Sequence, residues 1–310
     1  MTPRKDLLDI ASLTDEEIQF VLDNAVPFKD LFKRSVKKVP TLKGQTVLPL
    51  FYEASTRTRS SFEVAATRLS ADIIQFDVDS SSVTKGESVL DTVETLEAMK
   101  VDYIVVRHKQ SGIPNLIARN TRASVINAGD GFHAHPTQAL LDAFTIKETV
   151  SSVIGRKVVI VGDIKHSRVA RSTSLILRRL GMKVAYLAPG SLMPRDVPDE
   201  VKVLNTWDEL WAWQPEIIYL LRVQMERQRE PFFPSVSEYH KVYGMTDDRL
   251  ARARAEGLYV MHPGPVNRGV ELTDNVMTYE RSLINQQVEN GIAVRMSVLY
   301  WLRPGAGVEA

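Results

Sequence analysis

Val47-Leu48-Pro49-Leu50-Phe51-Tyr52-Glu53-Ala54-Ser55-Thr56-Arg57-Thr58-Arg59 passes from a compact apolar run into hydroxyl and guanidinium side chains. The apolar run reads as a buried strand. Beyond it, Phe62, Ala65, Ala66 and Leu69 recur at the i, i+3, i+4, i+7 spacing of an amphipathic helix. A strand that turns into a helix leaves free N–H groups at the turn, and the helix dipole adds partial positive charge there. Arginines at that end oppose the dipole. A bound dianion removes the conflict, so the turn reads as a phosphate cradle. The alternative is a Ser/Thr N-cap followed by solvated arginines.

Working outward, Thr14-Asp15-Glu16-Glu17 is a helix start, followed by Ile18, Val21, Leu22 and Ala25 on one apolar face. Ile73-Ile74-Gln75-Phe76 is a short strand. The polar stretch around Ser81 and Lys85 is a loop leading into a helix with Val89, Val93, Leu96 and Met99 in register. On its own residues, Lys85 reads as a solvated lysine. Tyr103-Ile104-Val105-Val106 is a strand with Arg107-His108 at its carboxyl end, where ligands bind in open α/β sheets. Val125 to Gly131 is a strand leaving into a glycine turn. His133-Ala134-His135-Pro136-Thr137-Gln138 then opens an apolar helix. Two histidines at i, i+2 without a third partner are weak metal ligands. His135 and Gln138 suit a carbonyl and an amide better.

The second half opens with a βαβ pattern: strand Lys157 to Val161, helix Val169 to Leu180, strand Lys183 to Leu187. Its turn, Gly162-Asp163-Ile164-Lys165-His166-Ser167-Arg168, lacks the three-glycine dinucleotide fingerprint and carries Arg168 at its mouth. Strand Glu216 to Leu221 delivers Arg222 and Gln224, on one face by period-2 alternation. Met225 to Tyr243 reads as a long surface loop and candidate lid. Leu258 to Met261 is a last strand ending in His262-Pro263-Gly264-Pro265, and Leu283 to Leu302 is a packing helix.

The expected fold is α/β. Each of two domains is a mainly parallel sheet flanked by helices, and the C-terminal helix packs back on the first. The first domain spans 1–143 with 286–310, the second 144–285. The chain's 310 residues and 44% hydrophobic content accommodate two cores. A net charge of +1 provides no general basic field for nucleic acid or membrane. The absence of cysteine excludes disulfides, thiolate metal sites and cysteine nucleophiles, and fits a reducing cytoplasm. The N-terminal stretch lacks the long apolar core of a signal peptide, and no spanning helix is evident. Cationic groups thus stand at strand ends in both halves. The first half suits a phosphate with an attached carbonyl. Arg168 and Arg222 suit carboxylates by fork geometry. The pairing suggests transfer of a phosphate-activated group.

The quoted turns, taken in order, resemble the catalytic chains of the aspartate carbamoyltransferase family over nearly the whole length. The resemblance implies that Ser55, Thr56, Arg57, Thr58 and Arg107 bind the phosphate of carbamoyl phosphate. Thr58, Arg107 and His135 would hold its carbonyl oxygen, and Gln138 its amide. Ser81 and Lys85 would come from a neighbouring subunit of a homotrimer with shared sites. Arg168, Arg222 and Gln224 would grip the carboxylates of L-aspartate, and the backbone around Pro263, Gly264 and Pro265 would orient the reacting groups. Arg59 fits a structural brace. The resemblance implies a cytoplasmic transferase of pyrimidine biosynthesis with no metal and no organic cofactor. It extends to members that form bare trimers, or that assemble with a regulatory chain or a dihydroorotase-like partner. Some members carry leucine where this chain has Gly264. Ornithine carbamoyltransferase, the nearest rival, usually shows a His-Cys-Leu-Pro turn and a Ser-Met-Gly motif. A non-catalytic phosphate or amino-acid binding protein need not retain Lys85, His135 and Gln138 together. A dehydrogenase and a nucleic-acid binder are disfavoured by the missing glycines and the neutral charge.

Overall fold

The computed structural model describes residues 4–76, 88–223 and 235–303. The chain divides into two compact units, Met1–Phe144 with Glu289–Ala310, and Thr145–Val288. In the first, helix α1 (Asp15–Asp30) begins on a capping box: Glu17 N donates to Thr14 Oγ1 and Thr14 N to Glu17 Oε2. Then follow β1 (Thr46–Phe51), α2 (Thr56–Arg68), β2 (Asp72–Ile73), α3 (Val89–Ala98), β3 (Tyr103–His108), α4 (Ile113–Arg119), β4 (Ser124–Asp130) and α5 (Pro136–Thr149). The strands pair in parallel in the order β2-β1-β3-β4. Val47 to Leu50 are all buried, as a parallel strand covered on both faces requires.

Pro49 explains why β2 is shorter than the apolar run Ile73 to Phe76 implies. Val47 accepts from Ile74 N, so Val47 and, two residues on, Pro49 present their backbone to β2. The next ladder bond would need an N–H from Pro49, which has none. Pairing stops, and Gln75 is left to accept from Arg59 Nη2 at 2.8 Å.

The second unit carries β5 (Lys157–Val161), α6 (Arg168–Arg179), β6 (Lys183–Leu187), β7 (Lys202–Leu204), α7 (Trp207–Trp213), β8 (Ile217–Leu220), α8 (Val236–Tyr243), α9 (Asp247–Ala255) and β9 (Tyr259–Met261). Its strands are parallel in the order β7-β6-β5-β8-β9. The guanidinium groups of Arg249 and Arg252 each lie 4.6 Å from the ring centres of Trp207 and Trp211, covering one side of the core. Residues 225–234 of the expected loop lie outside the described residues. The rest corrects that reading: Val236–Tyr243 is helical. Ser235 Oγ accepts from Glu238 N to start the helix, and Tyr239 is buried.

The last helix, α10 (Ile284–Trp301), returns to the first unit. Ser297 Oγ donates to Val21 O at 2.7 Å, Tyr103 Oη to Leu299 O at 3.0 Å, and Ser124 Oγ to Leu302 O at 3.1 Å. These bonds tie α10 to α1, β3 and β4. Among the described residues, no helix is long and apolar enough to cross a membrane.

Each sheet reverses its strand order once, between β1 and β3 in one unit and between β5 and β8 in the other. Ligand crevices form outside the carboxyl ends of strands at such points. Leu50 is fully buried in β1, immediately before the turn. Leu50→Ala is expected to lower stability by about 2–5 kcal/mol, read as a fall in the denaturant midpoint with an unchanged slope.

Candidate active site

In the first unit, the carboxyl ends of β1, β3 and β4 lie side by side. Ser55 occupies the N-cap position of α2, yet its side chain makes no capping hydrogen bond. The plain N-cap alternative therefore does not describe Ser55. Thr56 and Arg57 are exposed in the first turn, whereas Thr58 is buried. Arg59 points elsewhere: Nε lies 3.1 Å from Glu63 Oε1 and Nη2 reaches Gln75. It is a brace, as expected.

Arg107 stands opposite Phe51 in the β1–β3 register. Its Nη2 donates to Glu53 Oε1 and its Nη1 to Ala128 O, both at 3.1 Å. One guanidinium thus spans the exits of β1 and β4, and its side chain is only 12% exposed. The adjacent His108 is held below its ordinary pKa chiefly by burial.

The β4 exit is organised by Asp130, which is fully buried. Its carboxylate accepts from Gly112 N at 2.7 Å, Asn127 Nδ2 at 2.8 Å and Ala134 N at 3.1 Å, with His133 Nδ1 at 3.0 Å. Gly131 closes the turn at φ +44°, where a Cβ would stand 2.4 Å from Ser111 Oγ. The turn delivers His135, buried, to the residue before Pro136, which opens α5. Gln138 follows, buried, with Nε2 donating to Asp142 Oδ1 at 2.9 Å.

In the second unit, Gly162 leaves β5 at φ +125°; a Cβ there would press on Tyr239 Oη at 3.1 Å and Leu221 Cβ at 3.2 Å. Asp163 accepts from His166 N at 3.2 Å, and Ser167 Oγ accepts from Ala170 N at 3.1 Å to cap α6. Arg168, the first residue of α6, is buried. Arg222 follows β8, and the next residue's carbonyl, Val223 O, accepts from Asn267 Nδ2 at 3.1 Å. After β9, His262 Nδ1 accepts from Gly264 N at 2.8 Å, and Nε2 lies 3.2 Å from Glu271 Oε1, both residues buried. Gly264, at φ +62°, and Pro263 are half-buried, and Pro265 is exposed. Arg168, Arg222 and the Pro263–Pro265 turn thus share the carboxyl edge of β5, β8 and β9.

Ser81, Lys85 and Gln224 lie outside the described residues. Among the described residues, no group of three or more His, Asp or Glu side chains is placed to hold a metal ion. Glu53, Asp130, Asp142 and Glu271 support the expected residues but escape sequence reasoning. Each stands near a motif, yet a lone carboxylate has no spacing to mark it.

Residues 5–148 match the family profile described as the aspartate/ornithine carbamoyltransferase carbamoyl-P binding domain, and residues 154–302 the aspartate/ornithine binding domain of the same family. The chain belongs to the aspartate/ornithine carbamoyltransferase family. It is 67% identical over 302 residues to an aspartate carbamoyltransferase catalytic subunit of Akkermansia muciniphila, covering 97% of this chain and 98% of that one. Among solved structures it is similar to aspartate transcarbamoylase from Trypanosoma cruzi in complex with carbamoyl phosphate and aspartate. The TM-score is 0.87 at 28% identity, covering 96% of each chain. The catalytic subunit of the M. jannaschii enzyme is 33% identical with a TM-score of 0.81, covering 96% of this chain and 98% of that one.

Within this family fold, the Asp130 hub makes a stability test. Asp130→Ala strands the buried donors of Asn127 and Ala134 and removes the partner of Gly112 N. At about 1–3 kcal/mol per unsatisfied buried group, a loss of at least ~2 kcal/mol is expected in urea unfolding.

Proposed function

We propose that the chain transfers the carbamoyl group of carbamoyl phosphate to the α-amino group of L-aspartate, giving N-carbamoyl-L-aspartate and phosphate in pyrimidine biosynthesis. One observation carries the reading: the β1, β3 and β4 ends bring Ser55, Thr56, Arg57, Thr58, Arg107, His135 and Gln138 to one sheet edge of a family member. Residues 1–143 with 286–310 serve carbamoyl phosphate, and residues 144–285 serve aspartate.

The amine lone pair attacks the carbamoyl carbon, and negative charge grows on the carbonyl oxygen. Thr58, Arg107 and His135 donate to that oxygen; one such preorganised donor is typically worth about 2.7–4 kcal/mol. The bond from carbon to the phosphate oxygen breaks, and the departing phosphate takes the amine proton. Ser55, Thr56, Arg57 and the N–H groups of the α2 turn hold that phosphate. Arg168, Arg222 and Gln224 hold the aspartate carboxylates, with the Pro263–Pro265 backbone orienting the amine. The same reading makes the enzyme a cytoplasmic homotrimer, with Ser81 and Lys85 supplied to each site by a neighbouring subunit.

The purified chain, supplied with carbamoyl phosphate and either L-aspartate or L-ornithine, is expected to make carbamoyl-aspartate alone. Product with ornithine only would overturn the assignments of Arg168, Arg222 and Gln224. His135→Ala is expected to lower kcat about 100- to 1000-fold. For the shared site, Lys85→Ala and His135→Ala chains, each nearly inactive, should regain activity when mixed and reassorted. An active monomer would remove that part of the reading.

A further inference from the structure

Every backbone N–H in the turn after β9 is either missing or taken. Pro263 and Pro265 have none, and Gly264 N donates to His262 Nδ1 at 2.8 Å. The Pro263–Gly264 peptide is trans, so the Pro263 carbonyl and the Gly264 N–H point to opposite sides of one peptide unit. The N–H is turned onto His262, which is buried, whereas Pro263 and Gly264 are half-buried. The Pro263 carbonyl therefore faces away from the ring, and the backbone of the turn presents acceptors only. An N–H donor such as an amine is the group it can receive.

That aim depends on which ring nitrogen carries the proton. A backbone N–H only donates, so His262 Nδ1 is bare and the neutral ring keeps its proton on Nε2. Nε2 lies 3.2 Å from Glu271 Oε1, with both side chains buried. A carboxylate beside Nε2 favours the proton there. The backbone at His262 is fixed as well, because His262 N donates to Gln287 Oε1 at 3.0 Å. Glu271 is placed by its own segment: its carbonyl accepts from Met245 N at 2.9 Å, and its Oε1 accepts from Asn267 N. Asn267 Nδ2 in turn donates to Val223 O at 3.1 Å, one residue beyond Arg222. One carboxylate thus joins the turn after β9 to the exit of β8.

We infer that His262 and Glu271 are positioning residues for the acceptor amine: Glu271 sets the His262 tautomer, and His262 holds the Gly264 N–H so that the Pro263 carbonyl faces the amine. This rests on the carbamoyl-transfer reading above. Both side chains act through the turn.

The test separates holding aspartate from orienting its amine, in the full-length enzyme. Succinate is aspartate without the amine. Its binding, measured by calorimetry with carbamoyl phosphate present, counts the sites whose carboxylate grip is intact. His262→Gln puts its amide at the Nε2 position and leaves Gly264 N without an acceptor, whereas His262→Asn puts an oxygen near the Nδ1 position. In His262→Gln, kcat per succinate-binding site is expected to fall about 10-fold, the scale of one neutral hydrogen bond. His262→Asn should recover most of the rate. The dissociation constant for succinate should stay within about 2-fold in both, since its contacts do not use the turn. Nitrogen NMR of histidine-labelled enzyme should show an unprotonated Nδ1 that vanishes in His262→Asn. In Glu271→Gln that signal should pass in part to the protonated form, with a fall in kcat and no loss of succinate sites. Loss of succinate sites in proportion to the rate, full activity in His262→Gln, a protonated Nδ1 in the wild type, or an unchanged signal in Glu271→Gln would overturn the inference. Wild-type turnover and succinate binding decide the carbamoyl-transfer reading separately, before any variant is compared.

Discussion

Arg107 is the point on which the first unit's edge depends. Its guanidinium is gripped by Glu53 beyond β1 and by the Ala128 carbonyl of β4, while its own backbone lies in β3. A cation placed at three converging strand ends would otherwise be mobile or solvated. Fixing it with one carboxylate and one carbonyl keeps the charge at the edge without neutralising it fully. Parallel pairing makes this arrangement available, because all strand exits then fall on the same side.

In both units, buried carboxylates hold the turns by accepting backbone N–H groups. Asp130 gathers the turn before α5, and Asp163 the turn before α6. Glu271 meets His262 Nε2 and so backs the turn after β9. A buried carboxylate that accepts several N–H groups makes a rigid joint. Rigid joints of this kind set donors in place before charge develops, which is the requirement of electrostatic catalysis. Asp142 does the same on α5, accepting from Gln138 Nε2.

Much of this was legible in the chain. The apolar run Val47 to Phe51 and the helical period from Phe62 to Leu69 gave strand and helix with the Ser55 turn between them. Arg59 was recognisable as a brace, and it bonds Glu63 and Gln75. Two local readings failed for identifiable reasons. The Ile73 to Phe76 run looked like a full strand, but Pro49 on its neighbour could not continue the ladder. The segment before Tyr243 looked irregular because its charges and prolines mask the Ser235 cap that starts α8.

The sequence by itself determined the fold class, the strand-end placement of Arg57, Arg107, His135, Arg168 and Arg222, and the family resemblance, because periodicity and motif order are properties of the chain. Tertiary structure decided what holds those residues still. Arg107 and Glu53 are 54 positions apart, and Ser297 and Val21 are 276 apart. No local pattern marks such partners. Such contacts exist only after packing brings distant segments together and removes water from around them.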